Sequence, residues 1–387
     1  NLKENLCGLK IRIFVSFIQV FSNLTSTFTV PWPKEFVAFM NLPIFQAMNV
    51  DFAAFLGNFE ACALHSSFLS RFAYHIFLMP LLVCVLVVSG VLVSVITNFY
   101  IKRKQAKTKG NENKNGLMLI KRFQAVKDAI IQTLGRLISL IVFLMYPGLS
   151  VKIFLIFKCV ELDKGDYFLM QDLSVRCYDP SWIFSAVIAG ICIIIYVFGI
   201  PITTFFLLHR KKHIILHGKP LEKDALEKVY GSLYLQYEGK YYWWEVAEMV
   251  KKMLLTGGLV LLAPGSTAQL LVGILITFIY YTFIMKFEPY EDYTDDVLQT
   301  IATLQLFMTL LMGFALRSDD SGHYESGTIT VLLITVNSVI FLSTAYLTIK
   351  TTAKLRGVLW KTFCCCLHVV NKERKFVQKK IASAVHV

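Results

Sequence analysis

Glu245 and Glu248 stand three residues apart in the string Tyr241-Tyr242-Trp243-Trp244-Glu245-Val246-Ala247-Glu248-Met249-Val250-Lys251-Lys252, so on a helix they share one face. Further along, Glu288, Glu291, Asp292, Asp295 and Asp296 precede an apolar run into which Gln299 and Gln305 continue. Carboxylates and amide oxygens brought together in this way are the donor set of calcium, a hard cation that takes six to eight oxygens. On that reading Glu245, Glu248, Asp295 and Gln299 hold a calcium ion. A second reading needs no ion. Glu245 and Glu248 then pair with lysines of the adjoining loop or with Lys251 and Lys252, while Asp295 and Asp296 favour the N-terminus of the following helix.

The cysteines divide by position. Cys159 and Cys177 close a loop whose ends adjoin apolar runs, and a disulfide there would restrain the unfolded chain by about 3 kcal/mol. Cys364, Cys365 and Cys366 follow the last apolar run beside a lysine-rich stretch, which suits S-acylation and contact with anionic inner-leaflet lipids. A zinc site is a poorer fit, because adjacent cysteines wrap one tetrahedral ion badly. The sequon at Asn23 lies at the end of an apolar run, too near a bilayer for glycosylation to be expected. Histidines are scattered, and no HExxH, phosphate-gripping loop or nucleophile elbow occurs, so no enzyme is expected.

Elements that could position these groups belong to a membrane protein. Apolar residues make up 56% and charged residues 17% of the chain, too few charges to cover a soluble body of this size. Runs long enough to cross the hydrocarbon recur at 9–26, 73–100, 129–157, 182–208, 246–262, 267–284, 297–314 and 329–349. The expected fold is an all-α polytopic bundle of about eight spans, with no β-barrel. The first run carries Arg12, Gln19 and Asn23, and an amphipathic helix lying in the interface is its rival reading.

Lysines and arginines collect in alternate gaps between the runs, and a net charge of +13 distributed this way follows the positive-inside rule. It does not form the basic face that nucleic acid requires. The basic gaps and the C-terminus are therefore expected in the cytoplasm, with the Cys159–Cys177 loop outside. Four segments result: a first membrane or interfacial helix (1–29), an extracellular apolar linker with short helices on the outer face (30–71), a seven-span core (72–350), and a basic cytoplasmic tail (351–387). A bundle-packed loop is the alternative for the linker.

Several strings carry a family resemblance. Gly8-Leu9-Lys10-Ile11, Val30-Pro31-Trp32-Pro33, Val175-Arg176-Cys177-Tyr178, Phe198-Gly199-Ile200-Pro201, Tyr242-Trp243-Trp244-Glu245 and Lys286-Phe287-Glu288-Pro289-Tyr290 resemble the membrane module of large protist and algal proteins with cysteine-rich ectodomains, EGF-like or ephrin-receptor-like, a module often described as similar to transient receptor potential (TRP) channels. The resemblance implies a receptor-like or anchoring module that couples an ectodomain to the cytoplasm. Its alternative is a TRP-like cation channel subunit with calcium at the cytoplasmic rim. Other subunits or an upstream ectodomain are the implied partners, and a plasma, ciliary or flagellar membrane the implied location.

Overall fold

A computed structural model describes residues 2–42, 68–108, 114–163, 165–262, 266–318, 327–347 and 349–350. Helices dominate: α1 (Leu2–Phe21), α2 (Leu24–Thr27), α3 (Lys34–Met40), α4 (Phe68–Thr108) and α5 (Lys114–Leu155) precede a small sheet. After it come α6 (Pro180–His217), α7 (Pro220–Tyr234), α8 (Trp244–Thr256), α9 (Thr267–Phe287), α10 (Tyr293–Ser318) and α11 (Gly327–Leu347). Among the described residues six helices, α4, α5, α6, α9, α10 and α11, are long and apolar enough to cross a membrane. The chain is thus a polytopic helical membrane protein. The expected count of eight is approximate, since the runs at 9–26 and 246–262 became α1 and α8, which lie inside the bundle.

α4 and α5 have 41 and 42 residues, so at 1.5 Å per residue each reaches about 60 Å, twice the hydrocarbon thickness. They run antiparallel, with Tyr100 and Phe123 rings 4.8 Å apart and Lys127 Nζ donating to Asn98 Oδ1 at 3.2 Å. Val85, Val88, Leu92 and Ile96 of α4 are exposed, as lipid-facing residues of a span should be. In α6 the backbone widens into a π-turn at Ile193–Phe198. Pro201 follows and has no N–H to offer the carbonyl of Val197 four residues back. Tyr146 of α5 supplies the missing donor, its hydroxyl bonding Val197 O at 2.9 Å.

Between α5 and α6 lies an antiparallel sheet in the order β1 (Cys159–Asp163), β2 (Asp166–Leu169), β3 (Asp172–Arg176). Helix periodicity gave no sign of it. The expected disulfide joins Cys159 to Cys177 across its base. Lys158, next to that bridge, turns inward and donates to Ser26 O at 2.8 Å, and burial pulls its pKa down.

Among the described residues two large apolar clusters fill the bundle, and a third, smaller one gathers Leu208, Ile215, Leu226, Tyr234 and Tyr242. Of the large pair, one gathers Phe17, Ile18 and Phe21 of α1 with Trp244, Leu270, Leu298 and Leu306; the other gathers Tyr146, Ile153, Met253 and Ala189. In lipid, apolar burial supplies little drive, so close fit and polar bonds must hold helices together. Two glycines provide that fit. A Cβ on Gly313 of α10 would meet Trp32 Cη2 at 2.6 Å, and one on Gly257 at the end of α8 would collide with the Phe154 ring.

The stretch from Thr27 to Leu42 does not lie flat on the outer face. Phe36 and Met40 are buried, Phe36 stands 5.9 Å from Phe21, and Phe39 stands 6.2 Å from Phe341 of α11. Phe341 also meets Phe14 and Phe17 of α1, so α3 dips into the bundle. The bundle-packed alternative describes these residues. The rest of the expected linker, 43–67, and the tail from 351 with Cys364, Cys365 and Cys366 lie outside the described residues.

Candidate functional site

Buried ionisable side chains concentrate where α1, α8 and the α9–α10 turn meet. Lys10, Glu245, Glu248, Lys251, Lys252 and Asp295 are all at most 6% exposed. A charge removed from water costs several kcal/mol unless a partner and hydrogen bonds answer it. Opposite charges answer all of these but Lys252, which has the Gln19 amide oxygen and the Phe143 ring, while Asp295 Oδ2 has no hydrogen-bond partner among the described residues.

α8 opens with Glu245 in its first turn, a position the helix dipole favours for a carboxylate. Its Oε1 accepts from Arg12 Nη2 at 2.7 Å, and its Oε2 accepts from Gln236 Nε2 at 2.6 Å and from the Tyr237 hydroxyl at 3.0 Å. One turn on, Glu248 Oε1 accepts from Gln299 Nε2 at 2.6 Å and from the Tyr280 hydroxyl. Glu248 Oε2 stands 2.7 Å from Lys251 Nζ, the i,i+3 pairing the sequence allowed. Lys251 lies over the Tyr280 ring at 4.1 Å.

The α10 end is tied to α1. Lys10 Nζ donates to Asp295 Oδ1 at 2.7 Å and to Thr294 Oγ1 at 2.9 Å, and stands 3.6 Å from Asp292 Oδ2. A little deeper, Phe143 of α5 takes two cations, with Arg12 Cζ and Lys252 Nζ each 4.2 Å from its centroid. A cation–π contact away from water is worth about 2 kcal/mol. Lys252 Nζ also donates to Gln19 Oε1 at 3.2 Å.

Two turns lock this region together. Glu288, with φ +42°, takes the left-handed conformation that closes α9 and swings Tyr290 inward. Glu238 N then donates to Pro289 O at 2.9 Å and Glu291 N to Gln236 O at 3.2 Å, while the Tyr237 and Tyr290 rings stand 5.0 Å apart. Burial first, and the nearby Glu245 and Glu248 carboxylates next, hold both phenols well above their ordinary pKa, so they remain donors at neutral pH. A cavity with room for about one water lies among Arg12, Ser16, Tyr237, Glu245, Glu248 and Gln299.

Of the four expected calcium ligands, Glu248 and Gln299 meet directly, whereas Glu245 and Asp295 turn to separate cations of α1. Among the described residues no group of three or more His, Cys, Asp or Glu side chains is placed to hold a metal ion. The sequence pointed to the carboxylates and to Lys251 as a partner of Glu248, but not to Arg12 and Lys10 as partners of Glu245 and Asp295. Arg12 and Lys10 were visible as two cations in an otherwise apolar run, which is itself a sign of a helix buried against acids. Asn23 is buried, its Nδ2 bonding Gln19 O, so the sequon faces the bundle. Asn337 Nδ2 of α11 donates to Thr309 Oγ1 of α10 at 3.0 Å and ties the two spans together.

Comparison with known proteins adds a family match and one relative. The description "Transient receptor potential (TRP) ion channel" matches residues 52–355, so α1, α2 and α3 precede the matched region. Over 223 residues the chain is 24% identical to Cysteine repeat modular protein A of Toxoplasma gondii, a stretch covering 52% of this chain and 7% of that protein. The chain thus spans only a small part of that relative's length. No solved structure matches it.

Proposed function

This chain belongs to the transient receptor potential (TRP) ion channel family, and from that premise we propose that it is a receptor-like or anchoring membrane module. It couples an exterior domain to the cytoplasm, with the disulfide-linked sheet outside and the Lys10–Asp295 end inside. The observation that carries this reading is where the polar groups lie. The ion pairs of Lys10, Arg12 and Lys251 are buried between helices of one bundle, while the exposed sides of α9, α10 and α11 present Leu271, Phe278, Phe283, Leu311, Leu332 and Leu342. Such faces suit lipid. Exposed polar residues there, Thr282, Thr335 and Ser343, bond back to their own helices.

Anionic inner-leaflet lipids, an upstream ectodomain and further subunits are the partners this reading implies, and a plasma, ciliary or flagellar membrane its setting. No catalytic step is assigned to it.

Family membership favours a second reading, a cation channel subunit. On it the conducting path forms between copies, and calcium reaches Glu245, Glu248, Asp295 and Gln299 by displacing Arg12, Lys251 and Lys10. Planar-bilayer recording of the purified chain, with and without calcium, separates the two. The receptor-like reading expects no unitary currents. Calcium-dependent unitary currents that vanish in Glu248→Gln would replace it with the channel.

A further inference from the structure

α6 leaves the apolar part of the bundle through the string His209-Arg210-Lys211-Lys212-His213-Ile214-Ile215-Leu216-His217, and its three histidines recur every fourth residue. Four helical residues turn through 400°, so successive histidines are offset by only about 40° and form one stripe. All three are exposed. None takes part in the ion-pair network described above.

His213 and His217 have ring centroids 5.8 Å apart with planes at 64°. A zinc-like ion sits about 2.1 Å from a ligating ring nitrogen and therefore about 3.2 Å from the ring centre. Two imidazoles on one tetrahedral ion then have centres about 5.2 Å apart, and two on opposite sides of an ion about 6.4 Å apart. The observed separation falls between these limits, so the spacing of the two rings matches that of imidazoles sharing one ion. His209 is differently employed, its Nδ1 lying 3.0 Å from the Tyr242 hydroxyl and its ring stacked on Phe205.

We propose that His213 and His217 form a two-histidine site for a borderline divalent transition ion, such as zinc, nickel or copper(II), at the end of α6. Imidazole pairs select these ions over calcium or magnesium, which require oxygen. Water completes the coordination. The helix dipole contributes: His217 lies in the last turn of α6, where the carbonyl end carries partial negative charge and favours a cation. Arg210, Lys211 and Lys212 oppose it and hold the affinity below that of a closed structural zinc site. A bound ion would clamp the last turn of α6 and stiffen its connection to α7, which begins at Pro220.

The test is nickel titration by calorimetry on the full chain in detergent, purified without a polyhistidine tag, beside the variants His213→Gln, His217→Gln and His209→Gln. All three positions are exposed, so folding should survive, and thermal unfolding without metal checks it. The expected result is nickel binding that weakens more than about tenfold in His213→Gln and in His217→Gln and is retained in His209→Gln. A second readout is copper(II) electron paramagnetic resonance, expected to show coupling to imidazole nitrogen that either loss diminishes. A wild-type chain that takes up no nickel, or binding unchanged in both His213→Gln and His217→Gln, would overturn the site.

Discussion

A lysine inside a membrane bundle costs free energy unless its charge is answered, and Lys10 is answered by Asp295, Thr294 and Asp292 together. Replacing it by Met would leave Asp295, fully buried, without its cation. Breaking a buried pair from one side costs about 3–5 kcal/mol, so Lys10→Met should lower the unfolding temperature sharply in detergent or nanodiscs. The double variant Lys10→Met/Asp295→Asn should recover much of the loss. Asp292 offers a milder test through pH. Burial alone would raise its pKa, but bonds from Thr294 and the charge of Lys10 outweigh that and hold the carboxyl below its ordinary value. A lowered folded pKa means the contribution is present above the unfolded value, near 3.9, and disappears as pH falls through the folded one. Asp292→Asn should flatten that part of an acid-unfolding profile. The carboxylates were legible in sequence because Glu245 and Glu248 fall one turn apart. The Lys251 partner of Glu248 was legible too, whereas Arg12 for Glu245 and Lys10 for Asp295 were not, because each lies more than two hundred residues earlier and only the tertiary fold joins them.

Among elements, α1 and α3 departed furthest from expectation. Hydropathy ranked the run at 9–26 as the weakest span on account of Arg12 and Gln19, and those residues are the ones that fix it in place. Composition cannot distinguish a polar residue facing water from one facing a carboxylate. The six long spans were legible because an unbroken apolar run has no other low-energy setting. The prolines around Trp32 excluded a span but left open whether the segment lies on the bundle or within it. Close packing of α3 depends on Gly313, against which Trp32 is seated. Gly313→Val should cost about 1–3 kcal/mol by overpacking, and Trp32→Ala in the same chain should return part of it. Equal unfolding temperatures for Gly313→Val and wild type would show that Trp32 does not sit there.

At the scale of the molecule, two loops far apart in sequence meet at one end of the bundle, although the α9–α10 turn is acidic and breaks the alternation of basic gaps. The 235–242 segment bridges the α9–α10 turn through Tyr237 and Tyr290, while Lys158, Thr27 and Gln269 gather at the other end. The sheet between Cys159 and Cys177 was not legible in the sequence because its strands are short and largely exposed. α1 is wired into the family core by buried charge pairs, although it precedes the matched region. A double-mutant cycle on Arg12 and Glu245, read as unfolding free energy in nanodiscs, tests this most directly. Arg12→Ala and Glu245→Ala should each destabilise, and the double variant should be no worse than the poorer single, giving a coupling above about 1.5 kcal/mol. Losses that simply add would place Arg12 away from Glu245 and contradict the account.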